Sequence, residues 1–547
     1  MLSCDNLSVR VKGRSEPILN NLSAEFAPKK LHAIVGPSGC GKTTLMRAML
    51  QMQASEGRVS LDGQTIANQS DVVGAIGLVP QFSVAHEQLK VSECLEYTLR
   101  LHRKLTKAER AQESDHLLSI VGLSAQKNNR VNELSGGQLR RLGLALGLAP
   151  RPEILLCDEV TSGLDPNSET DILKMLAHLR DNESTTFICI IHNLSQLSRF
   201  DTITVLFEGK LVFQGSYSQL LKTFDISDPL ELYDVLNDSE YGSYSGPAGA
   251  PSLTDSEKPP RPAQPSPIQQ AVTLLERRSK LFFRNHGALI LTAAITFGFP
   301  LLVIIFASGG LPSVPSLSGY DEDGAIGIDA LLERAQYEID VTQIGTLVMG
   351  LVLFEVVLLT LMTSNNGARE IAEERPIFTL ERLRGLSTGS YVLSKAIFVG
   401  LLSALQGAWM AIFVDLFVAF PGSLFTQVLI FAISGMAMGW VALGFSAIMD
   451  SAERASLASV YLVGFQLPLA GIVLKLPDWL EWICRPFINA YWAWSGMVRT
   501  MLESRYYDAV VQAYQGKTID IVWCAIVLAL QGIVGIILVF RGCIRIR

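Results

Sequence analysis

The sequence has little charge for its length and lacks cysteine pairs at a metal-binding spacing. Charged residues make up 18% of the 547 residues and hydrophobic residues 49%, with a mean hydropathy of +0.31, which is too apolar for a soluble protein of this size. The net charge of −7 does not indicate a nucleic acid partner. The eight cysteines include no C-x-x-C, so neither a metal site nor a disulfide framework is indicated, and the five in the first half suit a reducing cytosol.

Apolar residues are concentrated in the second half of the chain. About the first 240 residues have the composition of a soluble α/β protein, whereas about the last 260 contain long apolar runs. A chain of this length is too long for one ordinary core, so two or more domains are expected. The first residues, Met1–Asp5, contain no basic or apolar stretch, which predicts no cleavable signal peptide.

One stretch of the first half fits the phosphate-loop pattern G-x-x-x-x-G-K-[ST], between a predicted strand at 31–35 and a predicted helix at 44–50. In this pattern the glycines let backbone N–H groups surround phosphate oxygens. Lys42 reaches the β- and γ-phosphates, and Thr43 offers its hydroxyl to Mg²⁺. The residues predicted to bind the nucleotide are Gly36, Pro37, Ser38, Gly39, Cys40, Gly41, Lys42, Thr43 and Thr44.

Further polar residues follow predicted buried strands. The apolar run 154–157 would carry Asp158 towards Mg²⁺ and Glu159 towards the γ-phosphate, where Glu159 would act as the general base for water. Gln81 leaves a predicted strand and would bind Mg²⁺ or position the attacking water. His192 ends another and would donate to the γ-phosphate. Taken alone, Gln81 and His192 are more often ordinary loop or structural residues.

A second anion site is predicted where a helix begins. Ser135 is a natural N-cap, and Gly136 and Gly137 allow close backbone approach, although an ordinary capped helix has the same features. The segment 134–138, Leu-Ser-Gly-Gly-Gln, is the signature of the ATP-binding cassette (ABC) proteins. Phosphate loop, Gln81, signature, paired acids and His192 stand in that family's order, and Asp165 matches its D-loop.

The first half, to about Gln219, therefore resembles an ABC nucleotide-binding domain. The resemblance implies ATP and Mg²⁺ as cofactors, and two such domains facing each other head to tail. The segment Ser135–Gln138 of one domain, with Asp165, would then complete the ATP site of the other. Because the chain has one phosphate loop and one signature, its implied partner is a second copy of itself or a related half-transporter. The usual catalytic residues are all in place, which argues against a site that only binds ATP.

The predicted domains are a nucleotide-binding domain at 1–240, a linker rich in Pro, Gly and Ser at 241–267, and a membrane domain at 268–547. The membrane domain would begin with an amphipathic helix at the cytosolic interface, with a surface helix of the soluble domain as the alternative. The fold predicted is thus multidomain, an α/β phosphate-loop domain followed by an all-α domain of six helices. The six predicted spans lie at about 288–307, 341–363, 393–420, 424–449, 455–474 and 519–540.

An even number of spans places both termini on the cytosolic side, where ATP is. The chain is thus expected to be a multi-pass integral membrane protein, with the lipid bilayer among its partners. Arginines and lysines between spans two and three agree with this topology. The basic residues of 475–518 do not, since that segment would lie outside.

The membrane half resembles G-subfamily ABC half-transporters (the white and multidrug-resistance type) in the segments 373–382 and 391–395. This resemblance implies a type-II-exporter-like fold, and lipids or amphipathic small molecules as substrates. It also implies a coupling helix at 369–380 that docks on the nucleotide-binding domain. Charged contacts are expected from Glu373, Glu374 and Arg375, although an exposed charged loop has the same composition.

Three residues of the membrane half remain open. Glu355 and Asp415 lie inside predicted spans, where a carboxylate has either a substrate or proton role, or a structural partner. Cys484, in the segment between spans five and six, would be able to bridge two protomers. The predicted function is ATP-driven export by a dimer of half-transporters. The alternative is an ATP-gated or regulatory membrane protein without net pumping.

Overall fold

The computed structural model describes residues 1–546 apart from 12, 14, 83, 184, 239–262 and 316–327. The described residues form two compact units. The sheet unit comprises Met1–Thr273 and Pro376–Ser387, and the helical unit comprises Leu274–Arg375 and Thr388–Ile546. Most of the predicted linker, 241–262, lies outside the described residues.

The sheet unit is built on a six-stranded sheet in the order β10-β9-β3-β8-β7-β6, parallel except for β10, and a smaller antiparallel sheet in the order β2-β1-β4-β5. Residues 31–35 and 186–190 are buried at every position, as central parallel strands covered on both faces require. The strands are β1 Leu2–Val9, β2 Leu19–Phe26, β3 Leu31–Val35, β4 Glu56–Leu61, β5 Gln64–Thr65, β6 Ile76–Val79, β7 Ile154–Asp158, β8 Thr186–Ile190, β9 Thr202–Phe207 and β10 Lys210–Gly215.

Eight helices accompany these strands, and the parallel strands are joined through them. Because the parallel strands pair in register, with Ile34 beside Ile190 and Cys157 beside both Val79 and Cys189, their carboxyl ends meet at one edge of the sheet. The helices are α1 Lys42–Met49, α2 Gln69–Val72, α3 Val91–His102, α4 Lys107–Ile120, α5 Gly136–Leu148, α6 Pro166–Glu183, α7 Tyr217–Phe224 and α8 Leu232–Asp238.

The rest of the described chain is helical. Its packed centre includes the fully buried side chains Tyr491 and Trp494, and the indole N–H of Trp494 donates to the carbonyl of Met349 at 3.3 Å. The helices are α9 Pro267–Arg284, α10 His286–Phe306, α11 Ile328–Gly367, α12 Arg375–Leu383, α13 Thr388–Val418, α14 Leu424–Ile448, α15 Ala452–Gly464, α16 Gln466–Leu469, α17 Asp478–Cys484, α18 Asn489–Thr500, α19 Arg505–Tyr514 and α20 Ile521–Arg545.

The fifth of the six predicted spans does not form a single long helix. Among the described residues, five helices are long and apolar enough to cross a membrane, namely α10, α11, α13, α14 and α20. The predicted span 455–474 is instead two shorter helices, α15 and α16, separated at Phe465. Pro468 has no N–H to donate to the carbonyl of Gly464, which explains why one continuous helix does not form there.

A segment between α11 and α13 belongs to the sheet unit. The side chain of Leu383 is 1% exposed within that unit's hydrophobic core, and Arg382 donates to the Gln69 side chain at 2.8 Å. The Gln270 side chain donates to the carbonyls of Leu101, at 2.9 Å, and Gly385, at 3.2 Å. The chain therefore enters the sheet unit at 376–387, which overlaps the predicted coupling segment 369–380 at residues 376–380.

Two of the charged residues predicted to act in that coupling segment have contacts inside the helical unit. Glu374 forms ion pairs with Arg277, at 3.3 Å, and with Lys395. Arg375 donates to the carbonyls of Ala447 and Met449 at 3.0 and 2.6 Å.

Candidate active site

The phosphate loop connects the buried strand β3 to helix α1, which begins at Lys42. Gly41 has a φ of +105°, and a Cβ atom there would lie 2.6 Å from the Leu19 side chain. Only glycine fits this position without moving its neighbours. The loop geometry therefore explains why the pattern needs a glycine immediately before the lysine.

Lys42 is buried inside its own loop. Its ammonium donates to the carbonyl oxygens of Gly36 and Pro37 at 2.7 and 3.0 Å, and the residue is 6% exposed. Lys42 is also the first residue of α1, so this positive charge lies near the N-terminus of the helix. A buried ammonium next to a helix N-terminus favours the binding of phosphate groups.

Thr43 and Asp158 form an oxygen pair suited to a divalent cation. The hydroxyl of Thr43 donates to the Asp158 carboxylate at 3.3 Å. Burial, and next the charge of Glu159, raise the pKa of Asp158, against the opposing effects of Thr43, Arg47 and Lys42. A bound cation would offset both causes. Mg²⁺ in nucleotide sites usually takes only one or two ligands from the protein, such as this hydroxyl and carboxylate, and its other ligands are phosphate oxygens and water.

Gln81, Glu159 and His192 meet at the edge of the sheet where β6, β7 and β8 end. The amide of Gln81 donates to one carboxylate oxygen of Glu159 at 2.6 Å, and a ring nitrogen of His192 lies 2.5 Å from the other. The Glu159 side chain is 15% exposed, so its carboxylate can still reach water. Of the three residues predicted to be catalytic, Gln81 and His192 thus both contact Glu159.

The backbone of Glu159 is held by a residue that the sequence reasoning missed. Glu159 has a φ of +51°, a left-handed conformation that costs a non-glycine residue about 1–3 kcal/mol. Arg140, in the first half of α5, donates from its guanidinium to the carbonyl of Glu159 at 2.7 Å. The only available signal was the position of Arg140, two residues after the signature.

A second missed contact holds the phosphate loop. The N–H of Gly36 donates to the hydroxyl of Tyr233 in α8 at 3.2 Å. Burial raises the pKa of Tyr233, so this hydroxyl keeps its proton at neutral pH. Tyr233 lies almost two hundred residues after the loop, and no local pattern connects them.

The signature residues form an exposed, capped helix start. The N–H of Gln138 donates to the hydroxyl of Ser135 at 3.3 Å, and the Gln138 side chain accepts from the N–H of Ser135 at 3.0 Å. A Cβ atom on Gly136 would meet nothing within 4 Å, and one on Gly137 would meet only the Leu164 side chain. Ser135 and Gly136 are exposed, so a ligand outside this chain has access to them.

Asp165 begins α6 as a helix cap. Its carboxylate accepts from the N–H groups of Asn167 and Ser168 at 3.1 and 3.0 Å, and hydrogen bonding to Ser168 lowers its pKa. Cys484, at the end of α17, is partly buried against the helical core and is a free thiol.

The sheet, the phosphate loop and the Gln81–Glu159–His192 cluster define a nucleotide-binding domain of the phosphate-loop class, followed by a domain with membrane-spanning helices. Comparison with known families agrees. Residues 19–162 match the ABC transporter family, and residues 269–501 match the ABC-2 type transporter family. The chain therefore combines a segment similar to the ABC transporter family with a segment similar to the ABC-2 type transporter family. It is a multi-pass membrane protein whose nucleotide-binding domain is cytosolic, as is usual for this domain.

Individual relatives are similar to the same parts of the chain. The chain is 28% identical over 496 residues to the ABC transporter ATP-binding/permease protein Rv1747 of Mycobacterium tuberculosis, which covers 85% of this chain and 54% of that protein. It is 35% identical over 216 residues to the methionine import ATP-binding protein MetN of Myxococcus xanthus, covering 38% of this chain and 65% of that protein. It is 36% identical over 220 residues to the ATM1-type heavy metal exporter of Novosphingobium aromaticivorans, covering 38% of this chain and 35% of that protein. The chain thus spans between a third and two thirds of the length of these relatives.

Proposed function

We propose that the chain is a half-transporter of the G-subfamily type that hydrolyses ATP and exports lipids or amphipathic small molecules as a dimer. The observation that carries this proposal is the carboxylate of Glu159, which is in contact with both Gln81 and His192 at the end of β7. The matched family models and relatives agree with an ABC-type ATPase coupled to transport.

Each site residue has a defined task in this proposal. Gly36–Thr44 hold the phosphates, with Lys42 reaching the β- and γ-phosphates. Thr43, Asp158 and Gln81 would hold Mg²⁺, which neutralises charge that develops on the phosphates. Glu159 takes a proton from the attacking water as general base, and His192 orients Glu159 and donates to the γ-phosphate.

The dimer follows from what one chain offers. The sequence holds one phosphate loop and one signature. The start of α5 is exposed. Ser135 and Gln138 form hydrogen bonds with each other there, so within the described part of the chain no other residue is shown bound at this helix start. A second copy would place Ser135–Gln138 and Asp165 over the nucleotide held by the first. ATP would then join the two sheet units, and ATP hydrolysis would release them.

Segment 376–387 supports the coupling of hydrolysis to transport. It packs in the core of the sheet unit, and the chain continues on either side of it into α11 and α13. Movement of the sheet unit would therefore pull on two membrane helices directly. The apolar, largely exposed surfaces of α10 and α20 suit a lipid environment and apolar substrates.

The test is the ATPase and transport activity of the purified chain in lipid nanodiscs and vesicles. Glu159→Gln should lower ATP hydrolysis at least about 100-fold and stop net transport, because the carboxylate no longer accepts a proton. Glu56→Gln is the matched control, since Glu56 is an exposed residue of β4 with only a distant ion pair to Arg10.

Three outcomes would contradict the proposal. Full hydrolysis by a strict monomer would exclude the shared site, as would full activity of Ser135→Ala. Flux that continues in Glu159→Gln with ATP bound would indicate an ATP-gated protein rather than a pump.

A further inference from the structure

Among the described residues of the helical unit, one buried acid lacks a partner. Glu355 lies in the apolar part of α11 and is 1% exposed, among core residues such as Val352 and Leu359. Its Oε2 atom has no hydrogen-bond partner, and within the described residues its side chain has no ion pair. The sequence allowed either a structural partner or a functional role for Glu355, and the part of the chain that the structure describes provides no structural partner.

Other buried acids of the same unit are neutralised. Glu370 accepts two hydrogen bonds from Arg278, at 2.5 and 2.6 Å, and one from Lys395 at 2.7 Å. Glu374 also forms ion pairs with Lys395 and Arg277. Glu370 and Glu374 are thus paired with arginine and lysine side chains, whereas Glu355 has no such partner among the described residues.

Asp415 is a second carboxylate close to Glu355. It lies on α13, within range of direct electrostatic interaction with Glu355. Asp415 is half-buried, between Val414, which faces the core, and Leu416, which is 74% exposed. It is thus the outer carboxylate of the pair, at the border between core and lipid, and Glu355 is the inner one.

The charge of this pair is either removed by a proton or balanced by a cation. An unpaired carboxylate in a low-dielectric interior is costly, so such residues in membrane helices mark functional sites. The undescribed residues 316–327 contain no Lys, Arg or His that would supply the charge. Mg²⁺ and Ca²⁺ need six or more oxygen ligands, and no group of three His, Cys, Asp or Glu residues that could hold a metal ion occurs among the described residues.

The hydrophobic core cluster that includes the neighbours of Glu355 on α11 bears on the rest of the ligand. Within the core cluster that contains its neighbours on α11, the facing part of α13 contributes Met410 and Val414, both 0% exposed. A hydrated inorganic ion would lose its water there without replacement. An organic cation would replace its lost water contacts by packing its apolar body against these side chains.

We propose that Glu355, with Asp415 at the entrance, recognises the positively charged group of a cationic amphipathic substrate. This inference rests on the proposed export function, because it names the substrate class of the same transporter. A substrate that enters from the lipid meets Asp415 first and Glu355 second.

Binding is tested without ATP, so that it is independent of hydrolysis. The probe is tetraphenylphosphonium, measured by equilibrium dialysis against the full chain in nanodiscs, with empty nanodiscs subtracted and neutral triphenylphosphine oxide as the uncharged comparison. Glu355→Gln should raise the Kd for the cation at least about tenfold, the effect of losing one partner of a buried charge pair, and leave the neutral compound unchanged. Asp415→Asn should give a smaller increase, since that residue is partly solvated.

The control is Glu338→Gln, the same substitution on the same helix, where Glu338 is 59% exposed and paired only with Arg334 at 3.8 Å. Equal cation binding by Glu355→Gln and wild type would overturn the inference. So would wild-type protein that binds both compounds equally but takes up a proton in a way that Glu355→Gln abolishes, because the site would then be a proton site. Should Glu355→Gln fail to fold, Asp415→Asn decides, and an unchanged Kd there overturns the inference.

The two proposals fail separately. If wild-type protein binds the cation through Glu355 but hydrolyses no ATP, the export function is wrong and the cation site stands. If ATP hydrolysis depends on Glu159 but the cation binds equally well to Glu355→Gln, only the cation site is wrong.

Discussion

Replacing Tyr233 with phenylalanine would show how much α8 contributes to nucleotide binding. The Tyr233 hydroxyl is the acceptor for the N–H of Gly36, the first residue of the phosphate loop. Phenylalanine keeps the ring and its packing and removes only this acceptor. The N–H of Gly36 then loses its partner in the loop conformation that surrounds Lys42.

The expected size follows from the bond that is lost. One neutral hydrogen bond contributes about 0.5–1.5 kcal/mol, which corresponds to about a two- to twelvefold change in an equilibrium constant. Tyr233 is half-buried, so water replaces part of the bond, and the lower end of that range applies. Because the bond acts on the phosphate loop and not on Glu159, we expect KM for ATP to rise about two- to fivefold with kcat nearly unchanged.

The assay is ATP hydrolysis by the full chain in nanodiscs, for wild type, Tyr233→Phe and the control Tyr217→Phe. Tyr217 lies in α7, and its hydroxyl has no hydrogen bond among the described residues. Thermal melting of each variant checks that the fold is kept. An unchanged KM in Tyr233→Phe, or an equal rise in Tyr217→Phe, would refute the argument.

Two further predictions concern the catalytic carboxylates. Burial raises the pKa of Asp158, which means that the folded protein favours the protonated carboxyl group. The folded protein therefore loses stability as pH rises through that pKa and Asp158 becomes charged. Asp158→Asn should therefore raise the melting temperature of the nucleotide-free protein at pH 7 to 8 while removing Mg²⁺-dependent hydrolysis, and a lower melting temperature would contradict this. Arg140→Ala should lower kcat about tenfold by releasing a charged hydrogen bond to the Glu159 carbonyl, and Arg140→Lys should restore part of it. The measurement is steady-state kinetics of wild type and both variants. A lower kcat in a variant whose melting temperature equals that of wild type would separate this role from a loss of fold.

The nucleotide site could be predicted from the sequence because its residues are fixed by local backbone geometry. Gly41 must be glycine at a φ of +105°, and Ser135 caps the helix that it precedes. Gln81, Glu159 and His192 each follow a strand, and in-register parallel strands bring such residues to one edge of a sheet. The roles assigned to these residues in catalysis remain predictions.

The features that were missed depend on tertiary contacts. Arg140 and Tyr233 act through bonds to backbone groups, at Glu159 and Gly36, that no spacing along the chain reveals. The break in the fifth predicted span was missed because hydropathy counts Pro468 as a tolerable residue, although proline has no N–H to continue the hydrogen bonding of α15. The missing partner of Glu355 likewise became visible only when the surrounding side chains were known.

Helix α5 joins two functions that the sequence presents as separate motifs. Its first residues are exposed and capped by Ser135, in position to meet a nucleotide held by another copy. One turn later, Arg140 fixes the backbone of Glu159 in its own chain. In the proposed dimer, a nucleotide bound by the partner would therefore press on the helix that positions this chain's general base. Both sites of the dimer would then be ready for hydrolysis only when α5 of each copy contacts the nucleotide bound by the other copy.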